Sequence, residues 1–160
     1  MAPEREPDGV VRVRANNPSP MTLDGTNTYV VGRWVVDPGP ADPEHLAAVR
    51  GATGGDLEGA VLTHGHADHA DGAEELGVPV LRPGEGERAG PFEALATPGH
   101  SPDSVCLLRG GTCFTGDTVL GEGSVFIAPG EGSLSAYLAS LRRLLKLDLE
   151  VLCPGHGPYV

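Results

Sequence analysis

A chain of 160 residues can bury about two-thirds of its unfolded surface, so a single domain over residues 1–160 with a core free of disulfide staples is expected. Its 22 acidic and 11 basic residues give a formal charge of −11, which excludes the broad basic footprint of general nucleic-acid binding. No apolar run approaches the roughly 18 residues needed to cross a membrane, and the 24 glycines and 15 prolines punctuate short elements instead of forming a disordered tract.

In chain order, Val10–Arg14 alternates apolar and basic residues and reads as a strand with one wet face. After the turn cluster 16–20, residues 28–31 and 34–37 flank Gly32-Arg33 and read as two strands joined by a two-residue turn, so the chain opens as antiparallel sheet. Pro43 at a first helical position, with Asp42 before it as cap, predicts a short covering helix on which Leu46 and Val49 share a face. His45 near its start is expected in solvent. Residues 59–62 read as an apolar strand, 68–76 as a helix stopped by Gly77, 78–81 as a strand, and 92–96 as another leading into Pro98-Gly99-His100.

Residues 104–108 and 112–115 flank Arg109-Gly110-Gly111 as a hairpin, with Cys106 and Cys113 as small buried hydrophobes. Beyond a glycine-rich loop, Ser133 caps the clearest helix, on which Leu134, Tyr137, Leu138, Leu141, Leu144 and Leu145 recur at helical spacing and read as a core stripe. Residues 149–152 form the last strand, which presents Pro154-Gly155-His156. Strands alternating with three short helices predict two packed sheets with helices outside, an α/β sandwich. Cys106, Cys113 and Cys153 cannot all pair within one chain, and the stretch Met1 to Asp8 lacks the apolar core of a secretory leader. Both features favour a reduced, cytoplasmic protein with no membrane partner.

The run Thr63-His64-Gly65-His66-Ala67-Asp68-His69 places three imidazoles and a carboxylate directly after an apolar strand. Neutral imidazole and carboxylate suit zinc and its divalent neighbours. The plain alternative is a histidine-rich turn in solvent. It leaves unexplained two further glycine-flanked turns, with His100 and His156, and an Asp117 at a strand end. Gathered in one cleft, His64, His66, His69, His100, His156, Asp68 and Asp117 are too many for one tetrahedral ion and suit two ions sharing a bridging group. Two divalent ions would also draw a small-molecule or short anionic substrate to a molecule that otherwise repels anions.

This set, in this order, resembles the metallo-β-lactamase superfamily, as do Thr26-Asn27-Thr28-Tyr29, Val36-Asp37-Pro38-Gly39 and Pro154-Gly155-His156. The likeness covers nearly the whole chain. It implies a compact αββα sandwich of two mixed sheets with outer helices, and a hydrolase. Position by position, it implies that His64, His66 and His100 hold one metal ion, that Asp68, His69 and His156 hold a second, and that Asp117 bridges them. The ions are expected to be zinc, with manganese or iron as alternatives, and to generate hydroxide from a shared water. Asp68 would orient that nucleophile, which makes Asp68 and Asp117 the expected catalytic pair. Asp37 matches the family's early aspartate, whose implied role is to support a ligating histidine. The reaction class is hydrolysis of an ester, thioester, amide or phosphodiester.

Within the family, Asn17-Pro18-Ser19-Pro20-Met21, Gly25 to Tyr29 and Pro154-Gly155-His156-Gly157-Pro158 resemble the lactamase-beta-like endoribonucleases, while Thr63 to His69 with Phe114-Thr115-Gly116-Asp117 resembles glyoxalase II. The first likeness keeps nucleic acid open as a partner, with cleavage of single-stranded RNA as the alternative function. Zinc β-lactamases usually carry cysteine or serine at the bridging position and fit less well with Asp117. The persulfide dioxygenases normally use one metal. A metal-binding module without chemistry is the remaining alternative. Both nearer families carry a helical region after the last histidine turn, whereas four residues follow His156 here, so an open cleft and a homodimer are expected.

Overall fold

The computed structural model describes residues 6–160; residues 1–5, on which the reading of the N-terminus partly rests, lie outside the described residues. Two five-stranded mixed sheets face each other. The first is ordered β1 (Val10–Arg14), β2 (Asn27–Val31), β3 (Trp34–Val36), β4 (Gly59–Val61) and β5 (Val80–Leu81), antiparallel as far as β3 and parallel beyond it. The second is ordered β10 (Val151–Pro154), β9 (Thr112–Gly116), β8 (Val105–Arg109), β7 (Phe92–Ala96) and β6 (Arg88–Ala89), parallel only between β10 and β9.

The period-two alternation of the strands builds the layers. Tyr29, Val31, Val36 and Val61 of the first sheet meet Phe92, Ala94, Leu107 and Phe114 of the second in one buried cluster. The intervening residues Val30, Val35 and Ala60 face outward and pack against Leu46 and Val49 of helix α1 (Pro43–Ala52). Cys106 and Cys113 likewise face out of the second sheet and pack against Leu144 of helix α3 (Leu134–Leu144). The result is the expected αββα sandwich, and all three cysteines are buried and free. Among the described residues, no helix is long and apolar enough to cross a membrane.

Four local expectations give way to tertiary contacts. The helix expected over 68–76 is one turn, α2 (Ala67–Ala70), followed by a 3-10 turn at Glu74–Leu76. Between them Gly72 turns its N–H to the Gly39 carbonyl at 2.8 Å, which diverts the backbone from the helical ladder. Of the strand expected at 78–81, Val80–Leu81 pairs with β4, while Pro79 contributes its carbonyl to Ala60 N. The expected core stripe of α3 is buried at Leu144 and half-buried at Leu141, but Leu134, Leu138 and Leu145 are 62%, 41% and 84% exposed. The face that meets the sheet is centred instead on Ser140, whose hydroxyl donates to the Pro98 carbonyl at 2.7 Å. His45 is buried rather than solvated, with Nε2 2.9 Å from Thr28 Oγ1.

The inter-sheet core rests on Phe114, which stands edge-to-face against both Tyr29 and Phe92, with ring centroids 5.4 Å and 5.3 Å away. Phe114→Ala is expected to cost about 3–5 kcal/mol of unfolding free energy, as a large cavity at a fully buried aromatic does. Urea unfolding of the two proteins measures this, and a loss below about 1 kcal/mol, the range of mild repacking, would contradict the inter-sheet assignment.

Candidate metal centre

One edge of the sandwich collects the ends of five strands. β3 delivers Asp37, β4 delivers residues 63–69, β7 delivers His100, β9 delivers Asp117 and β10 delivers His156. Backbone bonds lock the two sheets together there, Val105 N donating to Thr63 O at 2.8 Å and Asn27 N to Gly155 O at 2.7 Å, while Gly155 N donates to Gly116 O at 2.8 Å within the second sheet. The single turn of α2 lets Asp68 and His69 follow His66 into the same cleft, since His69 N and Ala70 N both donate to His66 O at 3.0 Å. Two glycines make the approach close enough. A Cβ on Gly155 would stand 2.5 Å from the His69 ring and 2.7 Å from Asp117 Oδ1, and one on Gly116 would stand 2.4 Å from Thr63 Oγ1.

All seven residues singled out from the sequence come together, in two groups that share Asp117. His64, His66, His100 and Asp117 form one, and Asp68, His69, His156 and Asp117 the other, with the candidate donor atoms in each group within 4.8 Å of one another. The two oxygens of Asp117 divide between them. Oδ2 lies 3.8 Å from His64 Nε2 and 3.4 Å from His100 Nε2, whereas Oδ1 lies 3.2 Å from His69 Nε2 and 3.3 Å from His156 Nε2. Asp68 Oδ2 stands 3.2 Å from His156 Nε2 and 3.4 Å from His69 Nε2.

Each ring turns one nitrogen inward and gives the other to an acceptor outside. His64 Nδ1 meets Thr63 Oγ1 at 3.0 Å, His69 Nδ1 meets Asp37 Oδ2 at 2.9 Å, and His66 Nε2 meets Glu131 Oε1 at 2.5 Å. His100 Nδ1 and His156 Nδ1 face the carbonyls of Phe126 at 2.7 Å and Gly25 at 3.3 Å. Thr63 Oγ1 donates its own proton to Asp37 at 2.6 Å, so towards His64 it is an acceptor. Each ring in its neutral form therefore keeps its proton on the outward nitrogen, which leaves the inward nitrogen to meet a cation or a second proton. The inward nitrogens crowd together: His66 Nδ1 and His100 Nε2 are 3.1 Å apart, and His69 Nε2 and His156 Nε2 are 3.2 Å apart. His64 Nε2 and Asp117 Oδ1 are buried without a hydrogen-bond partner. Orphaned donors of this kind fit divalent cations, and the absence of thiolate suits zinc, manganese or iron.

The electrostatics agree. Burial, reinforced by the neighbouring charge on His69, lowers the His64 pKa to about 4 and keeps that ring neutral. Burial opposes charge on His69 and His156, yet the carboxylates prevail: Asp117 and Asp37 raise His69 well above its ordinary value, and Asp117 with Asp68 raises His156 to about 9. Asp117 itself is held well below the usual carboxylate range, because His69 and His156 outweigh its burial. Without a metal ion, protons supply the positive charge that this cleft needs.

Asp37, with φ of 48° and both oxygens engaged by Thr63 and His69, occupies the supporting place read from the sequence. Three contributors have roles that the sequence does not reveal. Thr63 bridges Asp37 and His64, Asp103 accepts from Gly65 N at 2.8 Å, and Glu131 reaches His66 from a loop 65 residues away. His45 also holds the site indirectly: it contacts Thr28 Oγ1, which donates to the Asp37 carbonyl at 2.7 Å.

A pH dependence follows for the chelated protein. The His156 pKa is raised from 6.5 to about 9 on folding, so its stabilising contribution is complete below pH 6.5 and is lost as pH rises through about 9. The Tm of the chelated protein is expected to fall across that window. With saturating divalent ion the fall should vanish, since a cation rather than a proton then faces Asp117. Thermal scans at several pH values test this, and a chelated Tm that holds or rises between pH 6.5 and 9 would contradict it.

Comparison with known proteins agrees with this geometry. The model of the metallo-beta-lactamase superfamily matches residues 21–77 and 80–156. The chain is 30% identical to "Beta-lactamase-like protein 2 homolog" of Caenorhabditis elegans, over 98% of this chain and 64% of that protein. It is 33% identical to "Atrochrysone carboxyl ACP thioesterase" of Aspergillus fumigatus, over 94% of this chain and 56% of that protein. The chain thus spans little more than half to about two-thirds of the length of these relatives. Among solved structures, TTHA1623 in a di-iron-bound form superposes with a TM-score of 0.77 and 31% identity, covering 94% of this chain and 93% of that one. That neighbour holds iron, so the fold does not by itself select zinc. The matched residues include every histidine and aspartate of the two groups, and the chain belongs to the metallo-beta-lactamase superfamily.

Proposed function

We propose that this protein is a binuclear metal hydrolase acting on a thioester with an uncharged acyl group. One observation carries the binuclear part: each oxygen of Asp117 faces a different set of histidines. His64, His66 and His100 would hold one cation, Asp68, His69 and His156 the other, with Asp117 shared. Such a pair supplies a nucleophile from water near neutral pH and polarises the carbonyl under attack.

The chain's own groups divide the remaining work. Asp68, 30% exposed at the cleft and within 3.4 Å of His69 and His156, orients the attacking water and accepts its proton. Asp37 holds the proton on His69 Nδ1 and so keeps Nε2 directed inward. Two adjoining hollows of about 160 and 240 Å³ share Met21, His100, Asp117 and Phe126. Leu23, Val125, Met21 and Phe126 give their walls apolar surface that would seat an acyl chain and keep bulk water from it.

The same linings argue against RNA. They contain Glu122 and Glu131 and neither arginine nor lysine, so within these hollows nothing besides the cations would meet a phosphate backbone. The thioesterase name of a relative 33% identical to this chain supports the thioester reading from a separate direction.

The test is turnover by metal-reconstituted protein of an acyl thioester panel beside bis-p-nitrophenyl phosphate, with and without chelator. Chelator-sensitive thioester hydrolysis that exceeds phosphodiester cleavage is expected. The reverse preference, or no hydrolysis by loaded protein, would overturn the proposal. Asp68→Ala should lower kcat by about 10²–10⁴-fold with little loss of unfolding free energy, as loss of a general base does. Asp37→Ala should instead weaken metal affinity by about 10–100-fold. With metal saturating, a loss of kcat in Asp37→Ala equal to that in Asp68→Ala would show the roles to be wrongly divided.

A further inference from the structure

The loop between β9 and α3, residues 121–132, touches the histidine cluster at two points. Glu131 Oε1 lies 2.5 Å from His66 Nε2, and the Phe126 carbonyl lies 2.7 Å from His100 Nδ1. In both rings the other nitrogen faces the cluster, and these two inward nitrogens are 3.1 Å apart. The loop is also tied at its end, where Ser133 N donates to Gly99 O, next to His100, at 2.9 Å.

The five histidines are not held alike. His64 and His69 lean on the buried Thr63 and Asp37, and His156 faces the Gly25 carbonyl. His66 has a side chain 32% exposed, turns Nδ1 inward instead of Nε2, and has the Glu131 carboxylate, itself 47% exposed, as the acceptor for its outward nitrogen. A ring at the surface can rotate or take the other tautomer unless an acceptor fixes it. A carboxylate on Nε2–H does so, and it makes the Nδ1 lone pair a stronger donor.

We infer that Glu131 is a positioning residue: it holds His66 with Nδ1 toward the metal and thereby couples cation binding to the ordering of loop 121–132. The inference rests on the metal reading proposed above. Because the loop carries Val125 and Phe126, the apolar wall of the cleft is set in place by the same contact that prepares the site. The coupling is reciprocal, so a loop held at Glu131 and Phe126 raises cation affinity, and a bound cation holds the loop.

The test measures zinc affinity by competition with a chromophoric chelator, and hydrogen exchange of residues 121–132 with and without zinc, in wild type, Glu131→Ala and Glu131→Gln. Wild type should gain protection in the loop when zinc binds. Glu131→Ala should lose about 10–100-fold in affinity for at least one ion, the range of losses for partners of ligating histidines, and should lose the zinc-dependent protection. Glu131→Gln, which can still accept from Nε2–H but carries no charge, should fall between the two. Glu75→Ala, an exposed acid on the 3-10 turn, controls for net charge and should match wild type. If zinc binds wild type and Glu131→Ala equally well and loop exchange does not differ, this inference fails while the metal reading stands. A wild-type protein that binds no zinc, manganese or iron overturns both.

Discussion

Seven side chains turn lone pairs and negative charge into one small, largely dry volume around Asp117, and that volume is stable only with positive charge inside it. Acceptors at Thr63, Asp37, Glu131, Phe126 and Gly25 take the proton on each outward nitrogen, so the inward nitrogens are left to meet a cation or a second proton. Much of the architecture serves that demand. Donors come from both sheets, so the sheets must keep their relative position, and the edge-to-face contact of Phe114 with Tyr29, backed by Phe92 of its own sheet, holds them face to face. Gly116 and Gly155 admit the close approach that any side chain would block.

Most of the site was legible in the sequence because its residues sit at strand ends inside short glycine-flanked turns, where spacing alone signals that chemistry outranks packing. His64, His66, Asp68, His69, His100, Asp117 and His156 all arrive where that pattern places them. The sandwich was legible for a similar reason, since alternation in β1 and the Gly32-Arg33 turn between β2 and β3 fix strand pairing locally. What escaped depends on contacts distant in sequence. Glu131 is one acid among many until the fold brings it to His66, and His45 looks like a helix-surface residue until Thr28 meets it. On α3, helical spacing identifies an apolar face but not how much of it the sheet covers; the sheet covers Leu144 and leaves Leu134 and Leu145 in water.

The superfamily fold supplies a reactive centre, while selectivity lies in what surrounds it. Here the surroundings are Met21, Leu23, Val125 and Phe126 beside Glu122 and Glu131, an apolar wall edged with acid. A neutral acyl group suits that wall better than a polyanion does. The wall is split between the segment before β2 and the loop before α3, and the latter is fastened to His66 and His100. On the proposed function, substrate contact and metal support share one loop, so changes made there to alter specificity would also disturb the metal centre.

The central claim is that Asp117 joins two cation sites, and anomalous scattering from crystals of reconstituted protein tests it most directly. Data on either side of the absorption edge of the supplied metal should show two peaks, one among His64, His66 and His100 and one among Asp68, His69 and His156, each contacting a different oxygen of Asp117. A single peak, or a peak in the third grouping of Asp37, His64 and His69, would contradict the account.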